Sequence, residues 1–165
     1  SEIPFEKYND PRSIDDMVYA YLLAGDEKKA LALALKVQSN TLEDYKYYRG
    51  LDKKHQKTLK ADISSQPYYY SMIARSVANA YARNGEKKKG LTYLLNAMKP
   101  IDSEFRTYLT ELQNSNGNQK HEKADKIEEI TPFYQYLFDA LQPYDSAYTV
   151  VKMKQITSDV TKAMQ

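Results

Sequence analysis

The stretch Tyr19-Ala20-Tyr21-Leu22-Leu23-Ala24-Gly25-Asp26-Glu27-Lys28-Lys29-Ala30 decides the fold, because the chain repeats its plan 60 residues later. Ala20-Tyr21 recurs as Ala80-Tyr81, Gly25 as Gly85, Lys28-Lys29 as Lys88-Lys89, Leu31 as Leu91 and Leu35 as Leu95. Each position has a physical task. The small residue before tyrosine lets neighbouring helices approach, glycine makes the turn, and the leucine pair packs the second helix back on the first. Two helical hairpins of one design follow.

Apolar spacing extends the pattern outward. Ile14, Met17, Val18, Tyr21 and Leu22 form one helical stripe, with Ser13 and Asp16 spaced as a capping box. Asp26 caps a second helix, in which Leu31, Ala34 and Leu35 share a face. Thr41 with Asp44 predicts another start, Leu42, Tyr45 and Tyr48 point inward, and Gly50 marks a break. Lys53 to Ala61 reads as an exposed helix, and Pro67 opens the next one, carrying Ile73, Val77, Ala80 and Tyr81 on one face. Its partner helix turns Leu91, Leu94, Leu95 and Met98 inward until Pro100 stops it. Ser103 is expected to cap a helix bearing Phe105, Tyr108, Leu109 and Leu112, with Asn114 to Asn118 as a loop. The charged run from His121 to Glu129 precedes a restart at Thr131-Pro132 that buries Phe133, Leu137, Ala140 and Leu141. A last helix after Pro143 buries Ala147, Val150, Met153, Ile156, Val160 and Ala163. The expectation is a single all-α domain of about 7–8 helices over residues 1–165, with hairpins at 13–38 and 67–99, connecting helices at 41–62 and C-terminal helices at 103–164.

Composition narrows the function. With 24 Lys and Arg against 22 Asp and Glu, net charge is only +2, which disfavours nucleic acid as a partner. The absence of Cys removes disulfides, thiolate metal sites and cysteine nucleophiles. No apolar run approaches the roughly 20 residues of a bilayer span, so direct membrane insertion is not expected. Ser1-Glu2-Ile3-Pro4 has neither an initiator Met nor signal-peptide character, and reads as the trimmed edge of a larger parent.

Catalytic chemistry finds no anchor in the residues. His55 and His121 both lie in lysine-rich stretches and read as solvated, and His121 with Asp125 lacks a second histidine for a metal. Asp15-Asp16 and Glu128-Glu129 fall at helix starts or in solvated runs, where the dipole favours acids. Phosphate loops, nucleophile elbows and zinc-protease motifs are missing. The chain is therefore read as non-catalytic, without metal or cofactor. Its 16 Tyr and no Trp cluster at Tyr45, Tyr47, Tyr48 and at Tyr68, Tyr69, Tyr70. Half-buried helix seams explain them best, and a sugar- or peptide-stacking platform of Tyr47, Tyr68 and Tyr69 is the alternative.

Position by position the hairpins resemble a tetratricopeptide motif, with Tyr21 and Tyr81 at the aromatic site, Gly25 and Gly85 at the turn, and Ala30 and Gly90 at the small site of the second helix. The repeat length departs from that family's, and its early Trp-Leu-Gly is missing, so degenerate antiparallel hairpins of an αα superhelix are implied. On that pattern Arg75, Asn79 and Arg83 lie at i, i+4 and i+8 on the face such repeats turn toward ligand, and with Tyr19 they form the partner-binding set. A cationic stripe with an amide suits a carboxylate or acidic peptide.

A second resemblance rests on the Gly25-Asp26-Glu27-Lys28-Lys29-Ala30 hairpin end followed by Glu43-Asp44-Tyr45-Lys46-Tyr47-Tyr48-Arg49-Gly50-Leu51. From about Arg12 to Leu95 this order is similar to the C-terminal soluble region of bacterial membrane proteins in the domain-of-unknown-function 2723 family. That family's membrane part is similar to glycosyltransferases using lipid-linked sugars and holds the catalytic residues. The resemblance implies a non-catalytic appendage that binds a protein, an acidic peptide or its parent's membrane part. Its place would be the periplasmic side of a bacterial inner membrane, with the cytoplasm as the other compartment.

Overall fold

The computed structural model describes residues 11–50, 54 and 65–165. Among them are six helices and no strand: α1 (Pro11–Leu23), α2 (Glu27–Gly50), α3 (Gln66–Arg83), α4 (Lys87–Gln113), α5 (Asn118–Leu141) and α6 (Ser146–Met164). The chain divides into two compact units, Ser1–Gly90 and Leu91–Gln165.

In the first unit α1, α2 and α3 pack on one another. The core is the expected α1 stripe of Ile14, Val18 and Leu22, with Ala30, Ala34 and Val37 from α2 and Ile73, Val77 and Tyr81 from α3. Buried Gln38 donates from Nε2 to the Tyr70 carbonyl at 3.1 Å, tying α2 to α3 with a satisfied polar contact.

The two turns superimpose in their bonding as well as in sequence. Gly25 N donates to Leu22 O and Asp26 N to Tyr21 O, at 3.1 and 2.9 Å; Gly85 N donates to Ala82 O and Glu86 N to Tyr81 O, at 3.1 and 2.8 Å. This 5→2 and 6→1 pair needs a left-handed residue, and Gly25 and Gly85 have φ of 84° and 81°. Past each turn an acid holds a lysine, Lys29 on Asp26 at 3.3 Å and Lys89 on Glu86 at 3.0 Å. Those lysines lie over the tyrosines of the preceding helices, Lys29 over Tyr21 and Lys89 over Tyr81. Asp26 also caps α2, accepting from Lys29 N at 3.4 Å.

In the second unit Ile101 and Phe105 of α4, Ile130, Phe133, Tyr134 and Leu137 of α5 and Ala163 of α6 are buried. Asp102 joins the three helices. Its Oδ1 accepts from Tyr134 Oη of α5 at 2.6 Å and pairs with Lys152 Nζ of α6 at 2.9 Å. Tyr134 packs edge-on against Phe105 and stacks on Phe138. Burial first, and then the Asp102 carboxylate, push its hydroxyl pKa well above the ordinary phenol range.

The described helices number six, not 7–8, because several expected starts and stops do not act. Thr41 is buried inside α2 and donates from Oγ1 to Val37 O at 2.8 Å, so the hydroxyl is satisfied within the helix and caps nothing. Pro100 lies inside α4, where Ala97, Met98, Ile101 and Phe105 continue one buried face across it. Burial on both sides offsets the missing hydrogen bond. Ser103 is likewise interior, its carbonyl accepting from Thr107 Oγ1, and Pro132 sits within α5 beside Thr131, whose Oγ1 donates to Ile127 O. Ser13 is a helical residue of α1, so it is not a cap. The expected helix from Lys53 to Ala61 lies outside the described residues apart from Lys54.

Two expected faces point elsewhere. Leu35 is 57% exposed, so only Leu31, half-buried, keeps the inward role assigned to that pair. Of the α6 residues expected inward, Ala147, Val150 and Met153 are exposed, Ile156 and Val160 are half-buried, and Ala163 is buried. The helix is phased instead by Asp145, which accepts from Tyr148 N at 2.9 Å, by Tyr148 Oη on Met98 Sδ, and by the Lys152 ion pair.

Candidate functional site

The expected partner-binding residues fall on neighbouring helices of the first unit. Arg75, Asn79 and Arg83 are exposed along α3, two turns from end to end, and Tyr19 is half-buried on α1. Arg83 Nη1 donates to Tyr19 Oη at 3.1 Å, so the two hairpins present this end of the strip jointly. The next residue fastens it further, because Asn84 Nδ2 donates at 3.2 Å to Leu22 O in the last turn of α1, a second donor beside Gly25 N.

Behind the turns a second polar cluster joins the hairpins. Tyr81 Oη donates to Glu27 Oε1 at 2.6 Å, and Lys89 reaches the same oxygen at 3.6 Å. The Tyr81 hydroxyl, then Lys89, hold the Glu27 carboxyl below its usual range. These contacts orient the hairpins and leave the arginines facing outward.

Asp15 is the residue the sequence misjudged. Read as a solvated acid near a helix start, it is partly buried between α1 and α3, and its Oδ1 is shut from solvent with no hydrogen-bond partner among the described residues. Burial raises its pKa above the ordinary carboxyl value; Ser76 opposes that by hydrogen bonding, Asp16 adds to it by repulsion, and Arg75 opposes it by charge. A raised folded-state pKa means that protonation stabilises the fold, and that this contribution is lost as pH rises through the folded value. Asp15→Asn should therefore raise the midpoint of thermal unfolding at pH 7, with the gain shrinking as pH falls toward the ordinary carboxyl range. Melting curves of both proteins from pH 7 to pH 4.5 check this; a pH-independent gap, or a less stable variant, contradicts it. The only signal was position, since Asp15 follows core residue Ile14 and precedes Met17.

The tyrosines divide by burial. Tyr45, Tyr70, Tyr81 and Tyr134 are core residues, as the seam reading expects. Of the alternative stacking set, Tyr47 is 64% and Tyr68 38% exposed, while Tyr69 is half-buried. Tyr47 packs edge-on against Tyr48, and Tyr68 against Tyr69. His121 and Asp125 are both exposed on α5, and His55 lies outside the described residues. Among the described residues no three His, Asp or Glu side chains gather as a metal would require, and no helix is long and apolar enough to cross a membrane.

Comparison with protein-family models, curated proteins and solved structures returned no match to this chain.

Proposed function

We propose that this chain is a non-catalytic interaction module of degenerate tetratricopeptide-like hairpins that grips a carboxylate-bearing segment of a partner protein through Arg75, Asn79, Arg83 and Tyr19. The carrying observation is the Arg83 to Tyr19 hydrogen bond at 3.1 Å, which makes one strip out of side chains from both hairpins. A guanidinium already oriented by a phenol loses less freedom on meeting a carboxylate, and charge-assisted pairing supplies the attraction. The sequence resemblance supports a further step: the module is the soluble appendage of a membrane glycosyltransferase-like parent on the periplasmic side, where it holds the membrane part or a component of its complex.

A photo-crosslinking residue at Asn79, in the full-length protein in its native membrane, tests both steps. A single captured protein, or the parent's own membrane part, is expected, and Arg75→Glu with Arg83→Glu should abolish capture. Undiminished capture after that double charge reversal removes the strip as the site. A coding sequence without apolar spans beside this segment removes the appendage reading and leaves the strip intact. The exposure of Tyr47 supports a second reading, a glycan- or peptide-binding surface. Saturable quenching of tyrosine fluorescence by oligosaccharides, lost in Tyr47→Ala, would favour it.

A further inference from the structure

The second unit carries an open groove of about 760 Å³ along one polar face of α4. Lys99, Asp102, Ser103 and Arg106 line one part of it, and Thr107, Thr110 and Glu111 continue it at the same helical spacing. Helix packing has already spent its acids. Asp102 is held by Lys152 and Tyr134, and Glu111 by Lys123 and Lys126 at 3.3 and 3.4 Å. Lys99 and Arg106 are exposed and have no acidic partner among the described residues. A groove with formally balanced side chains thus presents two uncompensated cations.

Beyond Arg106 the same face continues with two threonine hydroxyls. Thr107 Oγ1 and Thr110 Oγ1 donate to the carbonyls one turn back, Ser103 O at 3.1 Å and Arg106 O at 2.9 Å. Their donors are used, and their oxygens remain as acceptors toward the groove. A peptide with a solvated backbone supplies the matching N–H groups. Lys99 and Arg106 are seven residues apart on one helix, which at the α-helical rise separates their Cα atoms by about 10 Å along the axis. In a polyproline II segment, residues i and i+3 share a face and lie about 9 Å apart.

We infer that this groove binds an acidic peptide segment in polyproline II conformation, with Asp or Glu at i and i+3 set on Lys99 and Arg106 and the backbone N–H groups that follow the second acid on the hydroxyls of Thr107 and Thr110. The site is on a different unit from the Arg75 strip and does not depend on it. An extended strand fits less well, because its i and i+3 side chains point to opposite faces.

Fluorescence anisotropy with the full chain and a labelled peptide of repeated Glu-Pro-Ala, which favours polyproline II and keeps backbone N–H groups on two residues of every three, tests the inference. Saturable binding is expected. Lys99→Glu and Arg106→Glu should each weaken it about tenfold, the loss of one charge-assisted contact. Both positions are exposed, and circular dichroism checks that the variants are folded; Lys99→Ala with Arg106→Ala serves if a reversal perturbs α4. The measurements are made in the Arg75→Glu with Arg83→Glu background as well, where the strip's own attraction for carboxylates is gone; saturable binding that depends on Lys99 and Arg106 should persist there, which separates this site from the strip. A peptide with alternating Glu-Pro, placing its acids at i and i+2, should bind more weakly. The inference is overturned by no saturable binding up to about 1 mM, by unchanged binding in the Lys99 and Arg106 variants, by equal affinity for the alternating peptide, or by tighter binding of a single-stranded oligonucleotide of equal charge.

Discussion

Phe133→Ala is expected to lower the unfolding free energy of the second unit by about 3–5 kcal/mol, the usual cost of emptying a fully buried aromatic site. Phe133 has no solvent exposure and belongs to the α5 stripe that includes Ile130, Leu137 and Leu141. Its loss falls one residue after Pro132, where the helix already lacks a backbone donor, so the surrounding chain has little local hydrogen bonding with which to compensate. A net stability of about 5–15 kcal/mol is typical of a domain, and this one change removes a large part of it. Urea denaturation of the full chain, with Tyr136→Ala at an exposed site on the same helix as control, is the measurement. Similar midpoints for the two variants would show that α5 does not hold the second unit together.

Gly90→Leu should be comparably damaging, by about 3 kcal/mol or more, for the opposite reason of excess volume. A Cβ at Gly90 would lie 2.7 Å from the Ala78 carbonyl oxygen and 3.1 Å from its Cα, both backbone atoms that no rotamer change can move. Even Gly90→Ala sets an overpacking cost of about 1–3 kcal/mol against a helix-propensity gain of about 1 kcal/mol, so a net loss is expected. Gly50 supplies the contrast: it lies in α2 with nothing among the described residues within 4 Å of the added Cβ, so Gly50→Ala should gain up to about 1 kcal/mol. Thermal melts of the three variants decide it. A Gly90→Ala protein as stable as the parent would mean that the Ala78 backbone does not crowd Gly90.

The repeat made this contact legible before the structure did. Gly90 stands where the first hairpin has Ala30, a position marked small by its partner, and both are buried. The turns were equally legible, because only glycine holds φ near 80° at low cost, and Gly25 and Gly85 are where the chain spends it. The strip of Arg75, Asn79 and Arg83 was read from the tetratricopeptide resemblance, whereas the Tyr19 contact to Arg83 needed two helices to meet.

The α4 groove was hidden by one residue. Reading Pro100 as a stop cut the helix between Lys99 and Asp102, so the polar stripe that continues to Glu111 was never a single face. The same local logic split α2 at Thr41 and α5 at Pro132. In each case the preference is real and small beside the apolar area buried on either side of it.

Periodicity, glycine positions and the 60-residue echo determined by themselves that this protein is helical, where its hairpins turn and which faces of α1 and α3 enter a core, because those features depend on backbone geometry within a few residues. Where helices run through their own stop signals, which carboxylates are held by lysines and which cations are left over was decided only in the tertiary structure. Burial and charge pairing depend on residues far apart in the chain, such as Asp102 with Lys152 and Asp15 with Ser76, and no local pattern encodes them.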